Sequence, residues 1–383
     1  SGLARKIGTY HAIAGNHLHE GAYLDTIRRA TPGDLLRVAR EWLEPERVTA
    51  GVVLPEEAEP GLDDDAVGAA MARGQATARA AMSRPIGRDR ASDVHSYELE
   101  NGLALHIVPR REVPVVSARV ALLGGLLSET PATAGASSFL AGMWLRGTRT
   151  RSAADFAREI ESLAADIDGF CGRNTLGLTL ESTVDAMPPM LDLLAEALLE
   201  PAFADDEIER ERRETLGALA RREDRLGAKV LDLFSAQHYG AHPYSLPMLG
   251  TPESVAAVYR SSLQAHHARL VTPANAVMSL VGDVDPDDAA AAVAQRLNGL
   301  GGDAPLLELP PPPEPVAGVH EVELVKDRAQ AHLAIGFRGL AVDDEDREAQ
   351  EVISQLLSGQ GGRLFLELRD RRSLAYTVSA MNV

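Results

Sequence analysis

The sequence predicts an α+β protein built from tandem duplicated domains. Three observations carry that expectation. Two helix starts with the same grammar, Thr31-Pro32-Gly33 and Thr251-Pro252-Glu253, stand 220 positions apart, and each leads to a strand, Val48 to Leu54 and Val277 to Val281. Two strand openings, His95-Ser96-Tyr97-Glu98-Leu99 and His320-Glu321-Val322-Glu323-Leu324, stand 225 positions apart. Two independent offsets that nearly agree point to duplication. Within each copy strands come first and helices follow, so that a sheet pairs before helices cover it. A chain of 383 residues is also too long for one ordinary core.

Composition narrows the class. Hydrophobic content of 45% and charged content of 25% are those of a globular protein. The formal charge of −18, from 56 acidic against 38 basic residues, repels phosphate backbones and anionic lipid, which argues against nucleic acid as a partner. The lone cysteine, Cys171, excludes an internal disulfide and leaves the compartment open between bacterial periplasm and cytoplasm. No run of about 18 apolar residues occurs, so no membrane span is expected. Ser1-Gly2-Leu3 is neither an initiator methionine nor a signal peptide. The last residues, Leu374 to Val383, read as a strand that stops without a partner. Both ends are therefore expected to be cut.

The elements follow in order. Thr31 caps a helix with Pro32 at its first position, and Leu35, Leu36, Val38, Ala39 and Leu43 give its apolar face. Residues 1–55 thus read as the end of a preceding α+β domain. The stretch 56–93 is rich in Ala, Arg, Asp, Gly and Pro and reads as a linker. Tyr97 and Leu99, then Asn101-Gly102, then Leu103, Leu105 and Ile107 predict a hairpin with a type I′ turn. A strand from Val115 to Leu123 and a helix over roughly Thr133 to Arg146 come next. Ser152 caps a second helix that buries Phe156, Ile160 and Leu163. A strand covers Leu176 to Glu181. Two more helices follow, one with Pro188 and Pro189 in its first turn and one long and charged from Asp205 to about Arg225. These elements make a complete domain at 94–303. The Leu309 to Pro315 segment, with five prolines, predicts a stiff polyproline II connector within 304–317, and 318–383 opens a further domain.

The run Gly135-Ala136-Ser137-Ser138-Phe139-Leu140-Ala141-Gly142-Met143-Trp144-Leu145-Arg146-Gly147-Thr148 resembles the insulinase/pitrilysin zinc metallopeptidases, which include the mitochondrial processing peptidases. Their pattern reads GLAHFLEHMLFKGT. Gly135, Phe139, Leu140, Met143, Gly147 and Thr148 match it letter for letter. The resemblance implies domains made of a mainly antiparallel sheet covered by helices. It also implies zinc held by an H-x-x-E-H helix, whose two histidines share a face while the intervening glutamate acts as general base. In this chain those three places hold Ser138, Ala141 and Gly142. The family's further glutamate ligand, 76 residues after the second histidine, falls on Ala218. The nearby Glu211, Glu214 and Glu223 read as lying on the wrong turns. Catalytic zinc takes three protein ligands and a water, and none of the expected set is present, so no metal is expected on this chain. Gly142, an internal helix glycine, reads as a position free to drift.

Gly362-Arg363-Leu364-Phe365-Leu366-Glu367-Leu368-Arg369-Asp370-Arg371-Arg372-Ser373-Leu374-Ala375-Tyr376-Thr377-Val378 is similar to the family's SRLFQELRERRSLAYSV, which belongs to the half that carries no zinc. There an arginine and a tyrosine seven residues later reach towards the substrate. The resemblance assigns that role to Arg369 and Tyr376. A guanidinium and a phenol can both donate hydrogen bonds to a substrate carbonyl or a developing oxyanion, most strongly in a dry, closed site. Without the resemblance, Arg369 reads as one charge in a solvated run and Tyr376 as a core aromatic. Gly124-Gly125, Glu129, His242-Pro243-Tyr244, Gly250-Thr251-Pro252-Glu253, Pro273-Ala274-Asn275 and Val281-Gly282-Asp283 extend the similarity over nearly all of the chain outside the linker.

Weaker signals read as structural. Gly359-Gln360-Gly361-Gly362 follows a helix and lacks a Lys-Ser/Thr, so it predicts a turn between helices and no phosphate cradle. His266-His267 are adjacent on one helix and point apart, and His238 and His242 read as loop histidines. His11, His17 and His19 receive no chemistry.

The resemblance therefore implies the substrate-chamber half of a zinc metalloendopeptidase that cleaves peptides or unfolded proteins. Zinc is expected in a half upstream of Ser1 or on a partner subunit, and this chain alone is expected to be inactive. Its expected partners are a peptide substrate, paired in extended form with a sheet edge, and that zinc-bearing half. A proteolytically inactive peptide-binding or assembly scaffold, like the subunits of this fold in respiratory complexes, is the alternative.

Overall fold

The computed structural model describes residues 94–302 and, with interruptions, 308–382, together with Ala69 and Arg73. Its contacts divide the chain into two compact units, 1–90 and 91–383. The helix expected from Thr31 and the strand from Val48 to Leu54 lie outside the described residues. Ala69 and Arg73, inside the expected linker, are helical. They sit in an alanine-rich stretch, and alanine is the best helix former.

The larger unit is built on one six-stranded sheet. Its strands are β1 (His95–Glu98), β2 (Ala104–Pro109), β3 (Val115–Leu123), β4 (Asp166–Cys171), β5 (Thr175–Thr183) and β6 (Ala276–Gly282). Their spatial order is β1-β2-β6-β3-β5-β4. All neighbours are antiparallel except β2 and β6, which run parallel from Ala104↔Val277 to Pro109↔Gly282. The fold is α+β with a mostly antiparallel sheet, as the sequence predicts. The last of these strands in sequence, β6, is a central one, lying between β2 and β3.

Alternation along the strands decides which face is covered. On β3 Val116, Ala118, Val120 and Leu122 are buried while Ser117 and Arg119 are exposed. On β6 Ala276, Met278 and Leu280 point inward and Val277, Ser279 and Val281 outward. Nine helices are described in this unit beside short 3-10 turns: α1 (Ala136–Met143), α2 (Ala153–Ser162), α3 (Met187–Leu199), α4 (Asp205–Asp224), α5 (Leu226–Tyr239), α6 (Pro252–Ala256), α7 (Arg260–Leu270), α8 (Pro286–Leu297) and α9 (Arg347–Leu357). Phe139, Leu140 and Met143 of α1, Met190 and Leu194 of α3 and Val293 of α8 join the inward face of the sheet in one core. Each such side chain contributes about 1.5–3 kcal/mol by leaving water.

Caps fix the helix starts. Ser152 accepts a hydrogen bond from Asp155 N, Thr251 forms a reciprocal capping box with Ser254, and Asp285 accepts from Asp287 N and Asp288 N. The β1–β2 connection differs from expectation. Gly102 N donates to Leu99 O at 2.8 Å and Leu99 N to Leu103 O at 2.9 Å, with Gly102 at φ 88° and Asn101 outside the left-handed region. A type I′ turn needs positive φ at both central residues, so this is a longer loop that ends in a left-handed glycine. Asn101 is instead drawn to the end of α8, where its amide donates to Leu297 O and Leu300 O.

Beyond residue 302 the described chain holds α9 and a π-helical turn, Phe365–Arg371. The strands expected at His320 to Leu324 and from Leu374 form no ladder among the described residues. A strand needs a neighbour to exchange main-chain hydrogen bonds with, and alternation alone does not supply one. Gly359-Gln360-Gly361-Gly362 forms the turn between α9 and the π-helical segment, with Gly359 at φ 75°.

Candidate functional site

The degenerate motif lies on α1, which is pressed against β4. The approach is close: a Cβ added at Gly169 would stand 2.2 Å from Ala141 O, so only glycine lets helix and strand backbones meet there. Glu129, almost fully buried, holds the helix start by accepting from Gly135 N at 2.8 Å and Ser137 N at 2.7 Å. Burial pushes its carboxyl above the usual range against those hydrogen bonds and the nearby Arg269.

Within α1 the positions that would bind metal are otherwise engaged. Ser138 Oγ donates to Met248 O at 2.8 Å. Ala141 is buried and carries no donor atom. Gly142 faces α4, where a Cβ would stand 2.6 Å from Glu211 Oε1. It is therefore filled against, not free to drift as its sequence context suggests. Ala218 lies half-buried on α4. Glu207, Glu211, Glu214 and Ala218 are spaced i, i+4, i+7 and i+11 on that helix, one continuous stripe. Glu214 and Glu211 thus stand one and two turns before Ala218 on the same face, and from there they reach the α1 end of the site.

They meet Arg146, just past the end of α1. Its Nη2 lies 2.8 Å from Glu211 Oε2 and 2.5 Å from Glu214 Oε2, and its Nη1 lies 3.9 Å from Glu207 Oε2. Burial opposes the Arg146 charge, but its hydrogen bonds to Glu211 and then Glu214 outweigh it and raise its pKa. Arg146 in turn holds the Glu214 carboxyl below its usual range. An organic cation thus ties α1 to α4 where the donor positions are empty. The residues present do not fit a zinc ion, and no step through one is assigned to them. Among the described residues no group of three His, Cys, Asp or Glu side chains is placed to hold a metal.

The histidines are structural in placement. His266 Nε2 lies 3.0 Å from Ser137 Oγ and His267 Nε2 lies 2.7 Å from Leu198 O, so the pair diverges. Burial, then Arg269 and His267, lower the His266 pKa to about 4. His238 stacks on Phe234 and His242 packs edge-on to Tyr244. Cys171 is pushed up to about 11 by burial.

Arg369 and Tyr376 lie together near the end of the chain. The Arg369 guanidinium carbon is 4.8 Å from the centroid of the Tyr376 ring, which is 82% exposed. Neither Arg369 nor the Tyr376 hydroxyl makes a side-chain hydrogen bond or ion pair among the described residues, because Glu367 is taken by Arg371 and Arg372. Among the described residues no helix is long and apolar enough to cross a membrane.

Two family models match side by side, insulinase (peptidase family M16) over residues 107–252 and peptidase M16 inactive domain over residues 257–383. An uncharacterised zinc protease of Mycobacterium tuberculosis is 30% identical over 262 residues, 66% of this chain and 59% of the relative. The zinc protease YmxG of Bacillus subtilis is 28% identical over 74% of this chain and 69% of its own length. The chain thus spans about 59% of the length of the mycobacterial relative. The crystal structure of a peptidase M16 inactive domain from Pseudomonas fluorescens superposes with a TM-score of 0.65 at 25% identity, covering 75% of this chain and 70% of that one. A protease from Helicobacter pylori shares the fold with a TM-score of 0.67 at 21% identity, covering 76% and 71%. With its motif framework intact and two adjoining family models covering 107–383 almost without a gap, the chain belongs to the insulinase (M16) peptidase family.

Proposed function

We propose that this chain is the zinc-free, substrate-chamber half of a zinc metalloendopeptidase acting on peptides or unfolded proteins. One observation carries the reading: the α1 framework of a zinc peptidase is retained while its donor positions hold Ser138, Ala141 and Gly142, the last covered by Glu211 of the Arg146–Glu211 ion pair. The relatives that carry zinc protease as their name support the reaction class. In this reading zinc sits in another half of the full polypeptide or on a partner subunit, and 318–383 opens a domain that presents Arg369 and Tyr376 to the substrate. A guanidinium without a carboxylate partner keeps its N–H groups for a peptide carbonyl or a developing oxyanion.

The test uses the full-length protein. Stoichiometric zinc and chelator-sensitive cleavage of an unstructured peptide are expected, with residues 1–383 alone showing neither. Arg369→Ala and Tyr376→Phe should each lower kcat by tenfold or more, about 1.4 kcal/mol of transition-state stabilisation, with zinc retained. Unchanged turnover in both variants removes their assigned role. A full-length protein without zinc or cleavage leaves the assembly-scaffold reading in its place.

A further inference from the structure

The segment that carries Arg369 is not an ordinary α-helix. Residues Phe365–Arg371 form a π-helical turn, a widened geometry that recurs at functional positions. It closes with two main-chain hydrogen bonds around a left-handed residue. Ser373 N donates to Arg369 O at 3.1 Å and Leu374 N to Leu368 O at 2.8 Å. The residue at the turn, Ser373, has φ 52°, in the left-handed region where a non-glycine residue is strained. This bend returns the chain so that the Tyr376 ring comes back alongside Arg369.

A second ring waits there. The Arg369 guanidinium carbon lies 4.6 Å from the Phe365 ring centroid, as close as its 4.8 Å contact with Tyr376. Both distances are within cation–π range. Every other arginine of this segment with a defined partner, Arg371 and Arg372, is neutralised by Glu367. Within this segment Arg369 is set instead against two aromatic rings. An aromatic ring holds a guanidinium in place without occupying its N–H donors, whereas a carboxylate holds it by consuming them. The arrangement keeps the cation fixed and its donors unspent.

We propose that Phe365 is a positioning residue for Arg369. Its π face holds the guanidinium beside Tyr376, so that the five N–H donors stay ordered and free for an acceptor on the substrate. The proposal rests on the functional reading of Arg369 given above. Phe365 itself donates and accepts nothing; it acts only through the arginine.

The experiment compares Phe365→Tyr, which keeps an aromatic face, with Phe365→Leu, which keeps apolar bulk and loses the π system. Both are made in the full-length peptidase beside Arg369→Ala. A role confined to packing would be met by leucine. The proposal instead expects Phe365→Tyr within twofold of the parent and Phe365→Leu about fivefold to tenfold lower in kcat with KM little changed, because an ordered donor acts on the transition state. The Arg369 Nε–H resonance in arginine-labelled protein, assigned with Arg369→Lys, should lose the Phe365 part of its ring-current shift in Phe365→Leu and keep it in Phe365→Tyr. If Arg369→Ala abolishes turnover while Phe365→Leu leaves both kcat and the resonance unchanged, the assignment of Phe365 is overturned and the reading of Arg369 survives. If Arg369→Ala leaves turnover intact, the functional reading fails and the positioning role fails with it.

Discussion

Replacing Arg146 by methionine should unbalance the closed site. Arg146 and Glu211 have side chains only 18% and 14% exposed, Glu207 is 18% exposed and Glu214 is 53% exposed. Methionine preserves most of the bulk and removes the cation. It leaves Glu211 and Glu207 charged, largely removed from water and facing one another along α4. Breaking one side of a buried pair costs about 3–5 kcal/mol. Partial exposure of this cluster lowers the expectation to about 3 kcal/mol, most of it on the α1–α4 contact. Arg146→Met/Glu211→Met removes the exposed fault together with its cause, and about 2 kcal/mol should return as coupling. The assay is urea unfolding in a Trp42→Phe background. Trp144, fully buried two residues before Arg146, then reports on the site. A single-variant cost below about 1 kcal/mol with coupling under about 0.5 kcal/mol would refute the view that this ion pair ties the two helices.

Three further outcomes follow from the same geometry. Gly169→Ala should cost at least about 2 kcal/mol, because its Cβ meets Ala141 O at 2.2 Å, whereas Gly172→Ala, whose Cβ meets only Thr175 O at 3.5 Å, should leave the melting temperature nearly unchanged. His266 titrates near 4 when folded and near 6.5 when unfolded, so between those values the unfolded chain binds a proton the folded chain refuses. Stability is full above about pH 6.5 and falls by up to about 3 kcal/mol as pH drops towards 4. His267, also depressed by burial, adds the same sign, and Glu129, raised by burial, opposes it by favouring its protonated folded form in acid. Urea midpoints at pH 7.5 and 5 should differ in the parent and converge in His266→Gln.

Local grammar made much of this fold legible. The alternation of Val115 to Leu123 is β3 to the residue, and Ser152 caps α2 as its sequence position demands. Three elements escaped, among them the helix α8 (Pro286–Leu297). β4, with Asp166, Asp168 and Gly169 in six residues, is an edge strand whose exposed side is charged and whose glycine answers to a helix 28 positions away. α5 has no fully buried residue, so its sequence carries no inward stripe. At the site, the empty donor positions were legible one by one from the motif. What fills them was not, since Glu211 reaches Gly142 across 69 positions. The stripe Glu207, Glu211, Glu214, Ala218 was the available signal, and its i, i+4, i+7 spacing shows that these carboxylates share the face of the degenerate ligand position.

The place of β6 bears on how the domain comes into being. The sheet cannot close at its middle until a strand from residues 276–282 arrives beside a strand from 104–109, and β2 and β3 each present an open edge until then. As the chain emerges in order, the hairpin of β1 and β2 and the three-stranded group β3-β5-β4 can each form early, as two separate pieces. The insulinase match ends at residue 252, before the strand that joins them. A polypeptide divided there would yield two fragments, each with a raw hydrogen-bonding edge, that recover the native sheet only by finding one another.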